Sequence, residues 1–271
     1  MASRARKIAF YADLFYDHPL SPAYWIPPAN LDVEAILLGG DIHYLPQHLG
    51  GMLNEIRRTQ RDGTLLIVVP GNGEYVNQEL GESRRQYRAA VEAVPDAVFL
   101  DNDATELPDG VRVIGSTLWS HVPGDHIEAY TEMFADNGMT GVDGDNIRLG
   151  ERLMTLHDTN EQHRQARSFL ERELRGLSAA ERENTVVCTH YWPTLRPFTG
   201  PDGQPLADRY ITGSDLDALI AECGPRRWLC GHAHTTHDVT IGNTQISSNP
   251  RAGDGPGNVN PDFADSYVLD L

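Results

Sequence analysis

Short apolar runs alternate with amphipathic stretches along the first hundred residues of the chain. Residues 7–13, 33–41 and 64–70 are mainly aliphatic and have the length of strands that are buried on both faces. Residues 51–61 and 78–94 have apolar positions spaced as on amphipathic helices. Strands that alternate with helices predict βαβ units and a parallel sheet.

The remainder of the chain continues this alternation less regularly. The predicted elements are a strand at 97–100, a strand at 111–115 after a turn at 108–110, a helix within 151–177, a buried strand at 185–190, a helix at 214–222, a strand ending at Cys230, a hairpin at 238–248 and a closing strand at 266–271. Ser214 is the expected N-cap of its helix, and Gly242 and Asn243 are the expected hairpin turn. His157 and His163 are expected on the surface of the long helix.

Polar side chains with metal-binding chemistry follow the ends of the apolar runs. They are Asp13, Asp41, Asn72, His190, His232 and His234. Taken singly, each could be a turn, cap or surface residue. In open α/β sheets, however, ligands bind beyond the carboxyl ends of the strands, and His232 and His234 are two apart, so both imidazoles can face one volume. Carboxylate, amide oxygen and imidazole suit Mn, Fe or Zn, and Asp41 could be shared by two ions.

The order of these motifs resembles the calcineurin-like metallophosphoesterases. The family pattern D-x-H, G-D, G-N-H-E/D, H and G-H-x-H corresponds here to Asp13-Leu14-Phe15, Gly40-Asp41, Gly71-Asn72-Gly73-Glu74, His190 and Gly231-His232-Ala233-His234. Residues 117–120 and 248–251 also resemble stretches of a bacterial branch. The resemblance implies an α/β fold, a four-layer αββα sandwich of two mixed β-sheets flanked by helices, in one domain over residues 1–271, with a dinuclear site at the sheet ends.

Phe15 departs from the family pattern, because it takes the place of a histidine and cannot bind a metal. Tyr44, in a G-D-x-x-Y motif, resembles the purple acid phosphatases, in which a tyrosinate in that place binds ferric iron. The resemblance implies a first ion, preferably iron, and a second ion that is Fe, Mn or Zn. The ligands would be Asp13, Asp41, Tyr44 and His234 for the first ion, and Asp41, Asn72, His190 and His232 for the second. The alternative is that Tyr44 only packs in the core.

Gly73 is the second departure, since the family has a histidine there that usually contacts substrate and protonates the leaving group. By sequence, the candidate acids are His43, His121 and His18, although each could equally be a histidine without catalytic role. Arg251 could hold a phosphate oxygen in a bidentate manner, as an alternative to a salt bridge on its loop. Asn72 is expected to touch the substrate as well as the metal.

The function that follows is hydrolysis of a small phosphorylated molecule by a hydroxide bound to two metal ions. Monoesters, diesters, nucleotides and phosphonates all remain open as substrates. The alternatives are a metal-binding protein that has lost phosphatase activity, and a di-iron enzyme with non-hydrolytic, oxygen-dependent chemistry. Phe15 and Gly73 motivate the first alternative. The space opened at Gly73, and the fact that an iron–tyrosinate site need not be hydrolytic, motivate the second.

Charge and composition bear on the binding partners, the location and the cysteine chemistry of the protein. The net charge of −17 disfavours binding to a nucleic acid backbone. No apolar run is long enough to span a membrane, and the first apolar run is too short for a signal peptide, so a cytoplasmic protein is expected. Cys188, Cys223 and Cys230 are expected to be reduced core residues, because they are odd in number and lie mostly in apolar runs.

Overall fold

Two mixed β-sheets lie at the centre of the protein. The computed structural model describes residues 6–16, 23–136, 138, 145–198, 209–253 and 257–271. The first sheet consists of β1 (Lys7–Tyr11), β2 (Ala35–Gly39), β3 (Leu65–Val69), β4 (Ala97–Phe99) and β13 (Val268–Asp270). Its order is β13-β1-β2-β3-β4. β1 to β4 are parallel, and β13 is the antiparallel edge beside β1.

The second sheet has six strands in the order β11-β12-β10-β9-β6-β5. Its strands are β5 (Asp103–Glu106), β6 (Arg112–Ser116), β9 (Thr185–Thr189), β10 (Arg227–Cys230), β11 (Asp238–Ile241) and β12 (Thr244–Ser248). The four inner strands are parallel, and β5 and β11 are antiparallel edges. A small separate hairpin pairs β7 (Arg148–Leu149) with β8 (Arg152–Leu153).

Helices cover the outer face of each sheet. They are α1 (Pro46–Thr59), α2 (Leu80–Glu92), α3 (Ile127–Asp136), α4 (Leu156–Gly176), α5 (Ala179–Glu183), α6 (Arg209–Thr212) and α7 (Asp217–Cys223), with a 3₁₀ turn at Gly73–Tyr75. Side chains of α1 and α2 pack on the first sheet, and side chains of α3, α4 and α7 pack on the second. Within the described ranges, no helix combines the length and the apolar character needed to cross a bilayer.

Alternation along the strands produces the core between the sheets. In β1, Ile8 and Phe10 pack with Val186 and Cys188 of the second sheet, whereas Ala9 and Tyr11 face the helices. Strands buried on both faces must be apolar throughout, which explains the continuous runs in the sequence. The predicted four-layer sandwich of two mixed sheets is confirmed.

The predicted turn at 108–110 does not connect the strands at 97–100 and 111–115 as expected. It joins β5 to β6 in the second sheet, whereas β4 belongs to the first sheet. β5 was not predicted, because an edge strand of sequence Asp-Ala-Thr-Glu has no apolar run. The three cysteines are buried and free, as predicted.

Two helix predictions were wrong. Ser214 is not an N-cap, since α7 begins at Asp217 after Leu216, and Ser214 is buried with its N–H donated to the Trp192 carbonyl at 3.0 Å. His163 is not a surface residue, because it is 4% exposed with Nδ1 3.2 Å from the Trp119 carbonyl. His157 is exposed, as expected.

The chain turns sharply where these strands end. Asp13, Asp41, His232 and His234 have φ values of 55°, 54°, 66° and 54°, in the left-handed region. For a residue with a Cβ, this conformation costs about 1 kcal/mol or more, so it persists only where surrounding contacts hold it. Such strained residues cluster at functional sites.

Glu74 supplies contacts that hold one of these turns. Its side chain is 1% exposed. The carboxylate accepts backbone N–H groups of Asp41 at 2.9 Å, Gly71 at 2.7 Å, Ile42 at 2.7 Å and His43 at 3.1 Å. Two donors on each oxygen fit the ionised carboxylate, because a protonated acid would direct its O–H at a donor. Glu74 therefore ties the loop after β2 to the loop after β3.

Glu74→Gln should lower the free energy of unfolding by about 2–3 kcal/mol, because an NH₂ group would face two buried N–H donors. The midpoint of urea unfolding measures the change. Glu92→Gln is the control: Glu92 is an exposed residue at the end of α2 and should shift stability by less than about 0.5 kcal/mol. Equal midpoints for Glu74→Gln and wild type would contradict the role given to Glu74.

Candidate metal centre

Asp41, His190 and His232 bring their ligand atoms to within 4.8 Å of one another. Asp41 follows β2 of the first sheet, and the two histidines follow β9 and β10 of the second. Asn72, after β3, joins them, with its Oδ1 3.0 Å from His190 Nε2. Asp41 Oδ1 lies 3.4 Å from the same nitrogen. The sandwich therefore places ligand atoms from both sheets around one point.

The buried His190 ring has a fixed orientation. Its Nδ1 lies 3.0 Å from the Gly39 carbonyl and donates to it, so Nε2 faces the oxygens of Asp41 and Asn72. A lone pair on Nε2 opposite two oxygen atoms requires a proton or a cation between them. Burial lowers the pKa of His190, but the Asp41 and Asp13 carboxylates outweigh it and raise it to about 9. This donor set fits a metal ion.

Asp13 and His234 form a second carboxylate–imidazole pair near Asp41. Both oxygens of the fully buried Asp13 accept the His232 N–H, at 3.1 and 3.0 Å. Asp13 Oδ1 is 3.6 Å from His234 Nε2. Burial and the nearby Asp41 carboxylate raise the pKa of Asp13 to about 8. A cation between the two carboxylates would offset both effects.

His232 is poised as a neutral imidazole. Burial and the adjacent His190 lower the pKa of His232 to about 3. The neutral ring is the form that binds a metal ion. The rings of His190 and His232 have centroids 5.0 Å apart.

Phe15 fills the space between Tyr44 and His234. Its ring stacks on Tyr44 with centroids 5.8 Å apart and meets the His234 ring edge-on at 5.1 Å. Burial and the carboxylates of Asp41 and Asp145 raise the pKa of Tyr44 far above its ordinary value. Without a bound cation, Tyr44 is therefore a neutral phenol.

Glycines allow the close approach of these groups. A Cβ at Gly71 would lie 2.2 Å from Asp41 Oδ1, and one at Gly231 would lie 2.5 Å from Asp13 Oδ2. Gly73 donates its N–H to Asp41 Oδ1 at 2.7 Å, and a Cβ there would lie 2.8 Å from that oxygen. A histidine at position 73 would thus require Asp41 to move.

A cavity of about 600 Å³ opens over this centre. Its described lining comprises Phe15, Asp41, Tyr44, Asn72, Asp145, Pro197, Phe198, Ile211, Thr212, His232, Ala233, His234, Thr235 and His237. The lining combines the candidate ligands with apolar side chains such as Phe15, Phe198 and Ile211. A substrate can therefore present a charged group to the centre and an apolar group to these side chains.

Of the proposed acids, His43 and His121 lie outside the described lining of this cavity, and so does Arg251. The His43 ring packs near Tyr16 at 5.8 Å. His121 lines a separate cavity beside α4. The Arg251 guanidinium is buried over the Trp25 ring, 5.8 Å from its centroid. His18 lies outside the described residues.

Sequence reasoning missed Asp145 and His237 as parts of the cavity. Asp145 Oδ2 accepts a hydrogen bond from Asn72 Nδ2 at 2.8 Å. The His237 ring packs near Trp192 and lies with Nε2 2.9 Å from Thr235 Oγ1. Both residues lie in irregular or weakly patterned stretches, and the only available signal was the closeness of His237 to the His232–His234 motif. Because His237 lines the cavity, its imidazole could protonate a leaving group there.

Comparisons with known proteins show the fold. No family model matches the chain, and no curated protein matches it. The phosphopantetheinyl hydrolase of Mycobacterium tuberculosis is similar in structure, with a TM-score of 0.66, 12% identity, and coverage of 99% of this chain and 96% of that one. A dimetal phosphatase from Danio rerio has a TM-score of 0.50 and 11% identity, and the match covers 90% of this chain and 87% of that one. From its paired mixed sheets and these neighbours, the chain has the fold of the calcineurin-like metallophosphoesterases.

Proposed function

We propose that the protein is a metal-dependent phosphoester hydrolase with two metal ions. The observation that carries this proposal is the convergence of Asp41 Oδ1, Asn72 Oδ1 and His190 Nε2 in a buried volume beside Asp13. The fold neighbours support the same reaction class, since they include a phosphopantetheinyl hydrolase and a dimetal phosphatase.

Each ion has a set of candidate ligands. Asp13, Asp41, Tyr44 and His234 would hold the first, and Asp41, Asn72, His190 and His232 would hold the second. Iron is the proposed first ion, because a tyrosine oxygen is a hard, strongly donating ligand. Iron, manganese or zinc is the proposed second ion.

The side chains prepare the site for phosphoester hydrolysis. Bound ions would activate water and offset the charge of the phosphoryl oxygens. His190 is oriented by the Gly39 carbonyl, and Asp41 is held by the Gly73 N–H. The apolar side chains of Phe198 and Ile211 also line the cavity, and apolar surroundings strengthen electrostatic interactions.

Removal of metal should abolish hydrolysis of p-nitrophenyl phosphoesters, and added Mn²⁺ or Fe²⁺ should restore it. His190→Ala should lower kcat/KM at least about a hundredfold, because it removes a ligand. His157→Ala is the matched control, since His157 is exposed on α4, and should retain wild-type activity. Turnover that survives exhaustive chelation would contradict the proposal.

Protein loaded with iron should show a visible charge-transfer band if Tyr44 binds the first ion. Tyr44→Phe should lose the band, because it removes the phenol oxygen. Tyr191→Phe is the control, as the Tyr191 ring packs against the His232 ring with centroids 4.0 Å apart but is not a proposed ligand. A spectrum unchanged in Tyr44→Phe would assign Tyr44 to packing against Phe15.

A metal-binding protein without hydrolase activity is the second candidate. It is favoured by Gly73, which takes the place of the family's histidine and where a side chain would require Asp41 to move. If the protein is inactive, it should bind two ions per chain and turn over neither phosphomonoesters nor diesters with iron or manganese bound. Metal-dependent turnover of any of these esters eliminates it.

A further inference from the structure

Asp145 occupies the substrate side of a candidate metal ligand. Its Oδ2 accepts from Asn72 Nδ2 at 2.8 Å, while Asn72 Oδ1 faces His190 Nε2 at 3.0 Å. The Asp145 carbonyl accepts the Asn77 N–H at 2.8 Å, which fixes the backbone there. The Asn72 amide is thus oriented with its oxygen towards the metal centre and its NH₂ towards a carboxylate in the cavity.

The cavity offers little positive charge from side chains. None of the described residues that line it is Lys or Arg. Among nearby arginines, Arg251 is buried over Trp25, and Arg196 Nε donates to Asp217 at 2.7 Å. Apart from the ions and the histidines, a phosphate in the cavity therefore meets Asp145 without a Lys or Arg from the described lining to compensate its charge.

We propose that Asp145 makes the centre selective for phosphodiesters, which carry one negative charge, over phosphomonoester dianions. This inference rests on the proposed function. A monoester carries close to two negative charges above pH 7, because its second pKa is about 6, whereas a diester carries one. Metal ions would attract the dianion more strongly than the monoanion, and the charge of Asp145 opposes that preference.

The shape of the cavity suits two ester groups on one phosphorus. Its volume of about 600 Å³ exceeds the needs of a phosphate, and pockets of this size hold drug-sized ligands. Pro197, Phe198 and Ile211 are among the residues that line the cavity. The second substituent of a diester has apolar surface there to contact.

A preference for diesters over monoesters also means that only one of the two ester bonds of a diester is hydrolysed. Water adds to the phosphorus of a diester, one P–O ester bond breaks, and one alcohol leaves with its proton. The other product is a monoester, which acquires a second negative charge on losing its proton. Asp145 repels that product, so the centre releases it without hydrolysing the remaining ester.

The test compares bis(p-nitrophenyl) phosphate with p-nitrophenyl phosphate at pH 8, because both release the same phenol. Wild type should have the higher kcat/KM for the diester and should release one p-nitrophenol per diester. Asp145→Asn keeps an acceptor for Asn72 and removes the charge. It should raise kcat/KM for the monoester about tenfold relative to the diester, and it should then release the second phenol.

Two controls separate charge from structure. Asp62→Asn removes one exposed charge just before the first residue of β3, at the end of that strand away from the metal centre. It should leave the ratio of kcat/KM for the two esters unchanged. Asp145→Glu retains the charge and should keep the diester preference. If Asp145→Asn does not fold, as judged by circular dichroism, Asp145→Ser makes the same test of charge removal.

Binding provides a readout that is independent of turnover. Calorimetry on the metal-loaded protein should show weaker binding of inorganic phosphate than of dimethyl phosphate at pH 8, and Asp145→Asn should strengthen phosphate binding about tenfold. Metal-dependent turnover with a ratio unchanged in Asp145→Asn, or a wild-type preference for the monoester, overturns this inference alone. Turnover of neither ester overturns the proposed function together with it.

Discussion

Two carboxylates buried at one edge of the sandwich create the constraint on which the centre depends. Asp13 and Asp41 are almost completely withdrawn from water, and neither faces a Lys or Arg within the described cavity lining. Uncompensated buried charge costs several kcal/mol per ion, and protonation of His190 offsets only part of it. Cations held between Asp13, Asp41 and the histidines would complete the balance, so stability and proposed function have the same requirement.

The surrounding chain is organised to keep those carboxylates close together. Gly71 and Gly231 lack the Cβ that would collide with them. The Glu74 carboxylate gathers N–H groups from two loops and so fixes the turn at Asp41. The two sheets contribute from opposite sides, since Asp41 follows β2 and His190 follows β9. The tight packing between the sheets is what brings these two strand ends together.

Sequence reasoning predicted the parts of the fold that have strong periodicity. Strands buried on both faces, such as β2 and β9, gave continuous apolar runs and were placed correctly. The residues that follow them were proposed as ligands, and the structure brings Asp41, Asn72, His190 and His232 together. Their role as ligands stays a prediction. The short edge strand β5 was missed, because exposure on one side and few residues leave no pattern.

Long-range contacts decided the remaining assignments. His163 is buried because the Trp119 carbonyl and the aromatic core lie over that part of α4, which helical spacing did not reveal. His121 and Arg251 are near strand ends in sequence, yet their side chains turn away from the cavity. Asp145 reaches Asn72 across 73 positions of sequence, and no local motif encodes that contact.

The most direct test of a dinuclear centre is a crystal structure of the metal-loaded protein with anomalous difference maps at the iron and manganese edges. We expect two peaks about 3.5–4 Å apart, with Asp41 bridging them, Asp13 and His234 on one, and Asn72, His190 and His232 on the other. A single peak, or metal bound away from Asp41, would contradict the dinuclear centre.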